Sequence, residues 1–168
     1  MQKTSYEGMQ CPIARSLERV GEWWSMLILR ETLFGFTRFY ELEENLGIAP
    51  NMLSRRLNAL VEAGMLEKCA YTTRPIRYEY KPTDRARDFA DVLLALLSFG
   101  NRHFAPEGKS VTVIHDETGI EAVPVMVDAR TGIPLASPAY RWVAGPLASQ
   151  STRERYATDR RLGSSGLA

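Results

Sequence analysis

The sequence predicts a mainly α fold with a small β wing, dimeric, followed by a short C-terminal β-containing extension. Three observations carry this. Apolar residues recur at helical spacing from Pro12 to Phe104, two strand-like runs flank Thr73-Arg74-Pro75, and the chain after residue 104 becomes Gly- and Pro-punctuated. The domain boundaries that follow are 1–104 for the helical domain with its wing, 105–152 for a small β-hairpin extension, and 153–168 for a flexible tail.

The first long helix is expected over Pro12 to Phe34, where Ile13, Leu17, Val20, Trp24, Leu27 and Ile28 trace an apolar stripe, with a bend or break near Gly21. After Gly35-Phe36-Thr37, a short helix runs from Arg38 to Leu46 and Gly47 ends it. Ile48-Ala49 then turns into a helix that starts at Pro50 and stops at Gly64. Proline suits the first helical turn, where a missing amide proton costs nothing, and glycine suits the left-handed residue that closes a helix. Leu53, Leu57, Leu60 and Val61 share one face at ~100° per residue. Asn51, Ser54, Arg55 and Asn58 fall together on the opposite side, a narrow polar stripe of side chains able to read base edges.

Leu66 to Ala70 and Arg77 to Lys81 read as an antiparallel pair, with Tyr78 and Tyr80 on one face and Arg77, Glu79 and Lys81 on the other; Pro75 confines the residues between them to a loop. Ile48 to Lys81 therefore has the layout of a helix-turn-helix followed by a wing. The last helix of this domain spans about Asp84 to Phe104. Its apolar residues Phe89, Val92, Leu93, Leu96, Leu97, Phe99 and Phe104 cover more of the wheel than one core needs. That excess predicts a second packing partner: a copy of the same chain is the simplest, because paired recognition helices need a two-fold dimer, and the segment after residue 105 is the alternative cover.

Composition bounds the function. A chain of 168 residues, 45% hydrophobic, can build a real core, and its net charge of +1 does not advertise indiscriminate nucleic-acid binding. The charge is local instead. Arg55 to Arg87 holds Arg55, Arg56, Lys68, Arg74, Arg77, Lys81, Arg85 and Arg87 against Glu62, Glu67, Glu79 and Asp84, enough to neutralise phosphates. No apolar run approaches the ~20 residues of a membrane span and no signal region opens the chain, so a cytoplasmic location is expected. Cys11 and Cys69 are too few for a disulfide framework. An enzyme is not expected: only His103 and His115 offer imidazole bases, and no phosphate loop or nucleophile elbow occurs.

The expected DNA contacts are Asn51, Ser54, Arg55 and Asn58 in the major groove, Arg74 from the wing tip to the minor groove or backbone, and Arg77 on phosphate. Arg56 lies on the helix flank, where an ion pair with an acidic neighbour or packing of its stem on the core is the better reading. Trp23, Trp24, Phe99, His103 and Phe104 are the candidate lining of an effector pocket, although aromatic residues at helical spacing equally suit plain core. The different-class alternative is a winged-helix protein-interaction module without DNA binding, which would carry an apolar or acidic stripe where this chain has Asn51, Ser54, Arg55 and Asn58.

Cys11-Pro12, Val20-Gly21, Trp24, Ile28-Leu29-Arg30, Gly35, Arg38-Phe39, Leu42, Leu46, Ile48, Leu53-Ser54, Arg56-Leu57, Leu60, Gly64, Pro75, Tyr78-Glu79-Tyr80 and Thr83 fall in order, and residues 9 to 104 resemble the HxlR-type winged helix-turn-helix regulators, relatives of the MarR group. The resemblance implies a homodimer that binds double-stranded operator DNA, a repressor or activator responding to a small molecule or an oxidant. It also implies that Cys11 is a redox-switch candidate. Its place before a helix start favours a reactive thiolate, while a small buried apolar role fits the residue equally well. Departures from the pattern are Glu22-Trp23 before the helix tryptophan, Ala49 for a side-chain cap, Phe99 for a tryptophan and Ala86 for a glycine. The extension, with strand candidates Val111 to Ile114 and Val123 to Val127, echoes Asp116-Glu117-Thr118-Gly119-Ile120 in Asp128-Ala129-Arg130-Thr131-Gly132-Ile133. This resembles the zinc-ribbon extension of some HxlR-type regulators, but Thr118 and Thr131 stand where thiols are needed, so no metal and no cofactor are expected.

Overall fold

The computed structural model describes residues 5, 6 and 8–157. The chain divides into two compact units, 1–100 and 101–168.

In the first unit, α1 (Pro12–Val20) and α2 (Trp23–Leu33) replace the single long helix. The break falls at Gly21, where a Cβ would lie 2.4 Å from the Leu17 carbonyl oxygen, far inside any van der Waals contact. The apolar stripe is also split. Val20 and Ile28 are buried, whereas Ile13 and Leu17 face outward at 55% and 45% exposure. Then come α3 (Phe39–Leu46), α4 (Pro50–Glu62), and the antiparallel strands β1 (Leu66–Thr73) and β2 (Ile76–Pro82). Both strands extend further toward the tip than the sequence suggests, because Thr72↔Arg77 and Thr73↔Ile76 continue the register past an irregularity at Tyr71.

The core packs one face of each element together. Ile28 and Leu29 of α2, Leu42 of α3, and Leu53, Leu57 and Leu60 of α4 are wholly inaccessible, joined by Ile48, Met65, Leu66, Tyr80 and Ala86. Burial of leucine-sized side chains at ~1.5–3 kcal/mol each is the main force holding α4. A polar stitch accompanies it. Buried Glu31 on α2 accepts bonds from Arg30 at 2.7 Å and from Asn45 of α3 at 3.0 Å.

The last helix is two helices, α5 (Asp84–Asp88) and α6 (Ala90–His103). Thr83 caps α5, accepting from the Ala86 amide, and Phe89 at the junction packs against the core. No α6 residue is buried, and Val92, Leu94, Leu96 and Phe99 are all exposed.

In the second unit, Val111 to Ile114 and Val123 to Val127 do not form the expected single hairpin. Two separate knuckles form, one closed by an Ile114↔Glu121 bridge and the other by Val127↔Pro134. The Gly119 amide bonds to the His115 carbonyl and the Gly132 amide to that of Asp128, both at 2.8 Å, so each echo closes on itself and leaves no long edge to pair. Of the tail expected over 153–168, the first residues belong instead to α7 (Gln150–Arg155), capped by Ser149, which accepts from the Thr152 amide; residues 158–168 lie outside the described residues.

Candidate nucleic-acid interface

The interface is built on α3 and α4. Gly47 closes α3 with φ +59, Ile48 turns inward to 3% exposure, and Ala49 begins α4 with its carbonyl receiving the Leu53 amide at 2.9 Å. Ala49 supplies no side-chain cap, so the first turn depends on Pro50 and on the packing of Leu53. Gly64, at φ +67, ends the helix region, and the Met65 amide returns to the Leu60 carbonyl at 2.9 Å.

With Leu53, Leu57 and Leu60 inward, Asn51, Ser54, Arg55 and Asn58 are exposed along the opposite face. Among the described residues none of these four side chains makes a hydrogen bond or ion pair. Arg56 behaves differently. Its Nη2 lies 3.1 Å from Oε2 of Glu22, the acidic departure noted before the tryptophans.

The wing stands beside this helix with Arg74 at the turn between the strands and Arg77 on β2, both exposed. Thr72 Oγ1 donates to the Pro75 carbonyl at 2.6 Å and tightens the tip. At the base, the Tyr80 amide donates to the Thr37 carbonyl at 2.7 Å, and Glu79 accepts from Thr37 Oγ1 and pairs with Lys81 at 2.8 Å. The Lys81 bond holds the Glu79 carboxyl below its usual range, and Glu79 correspondingly raises Lys81. Tyr80 is pushed up by burial.

The structure adds two cationic side chains that periodicity alone does not mark. The Lys68 ammonium sits 4.3 Å above the Tyr78 ring and the Arg38 guanidinium 4.8 Å above the Tyr71 ring. Each pairing crosses between elements, so only the run of tyrosines near basic residues hints at it.

The aromatic candidates are not equivalent. Trp24 packs against the core, Trp23 is 75% exposed, and Phe99 is 53% exposed on α6. The rings of His103 and Phe104 meet edge to face at 6.4 Å. Cys11 is half-buried at the N-cap of α1, and Cys69 is half-buried on β1.

In the second knuckle Asp128 accepts from the Arg130 amide at 3.0 Å and from Tyr140 Oη at 2.8 Å, while Thr131 Oγ1 lies 2.6 Å from Tyr140 Oη. The first of these bonds, with those of Tyr140 and Thr131, lowers the Asp128 pKa. The hydroxyl at the position a zinc thiolate would need is thus engaged with Tyr140 and Asp128. This donor set does not suit zinc.

A buried three-helix core with α4 presented outward and a two-stranded wing beside it defines a winged helix-turn-helix protein of the transcription-regulator class. The model of the HxlR-like helix-turn-helix family matches residues 19–108, and the chain belongs to that family. An HTH-type transcriptional regulator of Mycobacterium tuberculosis, Rv3095, is 39% identical over 121 residues, covering 71% of this chain and 77% of the relative. Among solved structures, PA1374 of Pseudomonas aeruginosa, described as a candidate transcription factor, is 51% identical with a TM-score of 0.62, covering 86% of this chain and 99% of that one. PA1607, described in the same way, is 33% identical with a TM-score of 0.73, covering 84% and 100%. Among the described residues no helix is long and apolar enough to cross a membrane.

Proposed function

We propose that this regulator is a sequence-specific repressor that binds operator DNA as a homodimer in the cytoplasm and leaves it when a small molecule binds or a thiol is oxidised. The observation that carries the reading is the exposed stripe of Asn51, Ser54, Arg55 and Asn58 on a helix whose other face is wholly buried. Arg55 can grip O6 and N7 of guanine with two bonds, and Asn51 or Asn58 can grip adenine. Arg74 enters the minor groove or meets the backbone, and Arg77 neutralises phosphate.

The dimer uses α6, whose apolar side chains lack burial within one protomer. Cys11 is the proposed thiol switch, since its half-buried position at the start of α1 keeps it near unpaired helix amides. On the first unit, Trp23 and Phe99 are the proposed effector contacts, and Trp24 contributes mainly to the core.

A gel shift on DNA flanking the protein's own gene tests this, with wild type, Arg55→Ala and Cys11→Ser, before and after a thiol oxidant. Salt-dependent binding by the wild type, weakened in Arg55→Ala, is expected. Full binding by Arg55→Ala sinks the groove assignment, and oxidant release that persists in Cys11→Ser sinks the switch.

A further inference from the structure

The recognition helix is tied to the rest of its domain by an acidic residue that lies outside the helix-turn-helix. Glu22 is the N-cap residue of α2. Its backbone carbonyl accepts the Ser25 and Met26 amides at 2.9 and 3.3 Å, but its side chain does not cap its own helix. The carboxylate reaches α4 instead, with Oε2 3.1 Å from Arg56 Nη2.

Two features set this pair apart from an ordinary surface ion pair. The side chains are only 19% exposed for Arg56 and 32% for Glu22, so water screens them weakly. Arg56 Nε is also buried without a hydrogen-bond partner among the described residues. A partly buried guanidinium with an unsatisfied donor depends heavily on the charge partner it has.

The neighbouring arginine does the opposite. Arg55 is exposed and, among the described residues, its side chain is unpaired. Consecutive helix residues point ~100° apart, so fixing Arg56 against Glu22 fixes the direction in which Arg55 points. The leucines that hold α4 supply non-directional attraction, and Ala49 gives no side-chain cap. A charge-assisted hydrogen bond is directional, and base reading tolerates errors of only ~0.5 Å or ~10–20°.

We propose that Glu22 is a positioning residue for operator discrimination: through Arg56 it sets the rotation of α4 about its own axis and so aims Arg55 and its polar neighbours at the base edges. The proposal rests on the DNA-binding reading above.

The test uses a duplex selected from a randomised library by the wild-type protein, the same duplex with one base pair changed, and an unrelated duplex. Affinities are compared for wild type, Glu22→Gln, Glu22→Asp and Arg56→Lys, alongside thermal unfolding and the salt dependence of binding. In Glu22→Gln the preference for the selected over the changed duplex should fall by about tenfold, the scale of one lost base-reading pair. Affinity for the unrelated duplex and the salt slope should not move, because phosphate contacts are intact. Glu22→Asp should recover most of the preference. Arg56→Lys, which keeps charge but loses the fork, should fall between and serves if Glu22→Gln does not fold. A purely structural role would lower the unfolding temperature and the active fraction while leaving the preference unchanged, and that result overturns the proposal. A wild type that binds no duplex in a salt-dependent way overturns the DNA-binding reading and this proposal together, whereas a discriminating wild type with an unaltered Glu22→Gln overturns this proposal alone.

Discussion

The guanidinium of Arg85 donates from Nη1 to the carbonyl oxygen of Ala63 at 2.6 Å, placing a cation from α5 on the C-terminal end of the recognition helix. That end has no basic residue of its own in the last turn, so Arg85 supplies both the missing donor and the charge that complements the helix dipole. Thr83 joins in, its single hydroxyl proton shared between the carbonyl oxygens of Gly64 at 2.8 Å and Met65 at 3.0 Å.

Arg85→Ala should lower stability by about 0.5–1.5 kcal/mol, the net worth of one such bond. Gly64→Ala should cost ~1–2 kcal/mol, because it forces a side chain at φ +67 with its Cβ 3.0 Å from Arg85 Nη1. Urea unfolding of both variants reads these costs, and an unchanged midpoint for Gly64→Ala contradicts the close approach described here.

On DNA, the two kinds of arginine should separate. Arg55→Ala should lose about 1–3 kcal/mol of discrimination at one base pair, while Arg77→Ala should weaken all sequences alike and reduce the salt slope by about one. Titrations of matched and mismatched duplexes at several salt concentrations check this. Equal behaviour of the two variants would remove the division between groove and phosphate contacts.

The wing base should loosen in acid. Lys81, chiefly, holds Glu79 below its ordinary pKa of 4.5, so the folded form binds fewer protons than the unfolded one in that region. Its contribution is therefore complete above the unfolded value and is lost as pH falls through the depressed folded value. An NMR titration following the Thr37 and Lys81 side chains should show the change below about pH 4.5 in wild type and its absence in Glu79→Gln.

Val92 and Leu96 are 42% and 45% exposed on α6, and an aspartate at either place should dissociate the proposed dimer. Sedimentation velocity across a concentration series gives the answer. A Leu96→Asp variant with the wild-type mass would move the dimer seam elsewhere.

Tyr140→Phe removes the hydroxyl that joins Asp128 at 2.8 Å and Thr131 at 2.6 Å. Amide exchange at Gly132 and Ile133 should speed up while that of the first knuckle stays constant. Equal rates in both proteins would mean that the backbone turn alone holds the knuckle.

Much of the fold is written locally. The α4 helix follows from Pro50, the leucine period and Gly64, and the wing from two strand-like runs flanking Pro75. The break at Gly21 was equally legible because glycine marks it. The break at Phe89 was not, since no glycine or proline stands there and the apolar period continues through it; packing of Phe89 against the core separates α5 from α6. In the extension the repeated Asp-to-Gly turns were legible, but their pairing was not. Short apolar runs carry no information about which strand they meet, and local closure through His115–Ile120 and Asp128–Ile133 won over a longer hairpin.

For the interface, spacing along the chain is enough to say which side chains share the outer face of α4, because helix geometry converts spacing into direction without outside help. It also marked Arg56 as a flank residue suited to an acidic partner. That the partner is Glu22, that Trp24 turns into the core while Trp23 stays out, and that Arg85 closes the end of α4 are matters of packing. These contacts join residues distant in sequence, and a contact of that kind is fixed by how the elements pack, not by any period along the chain.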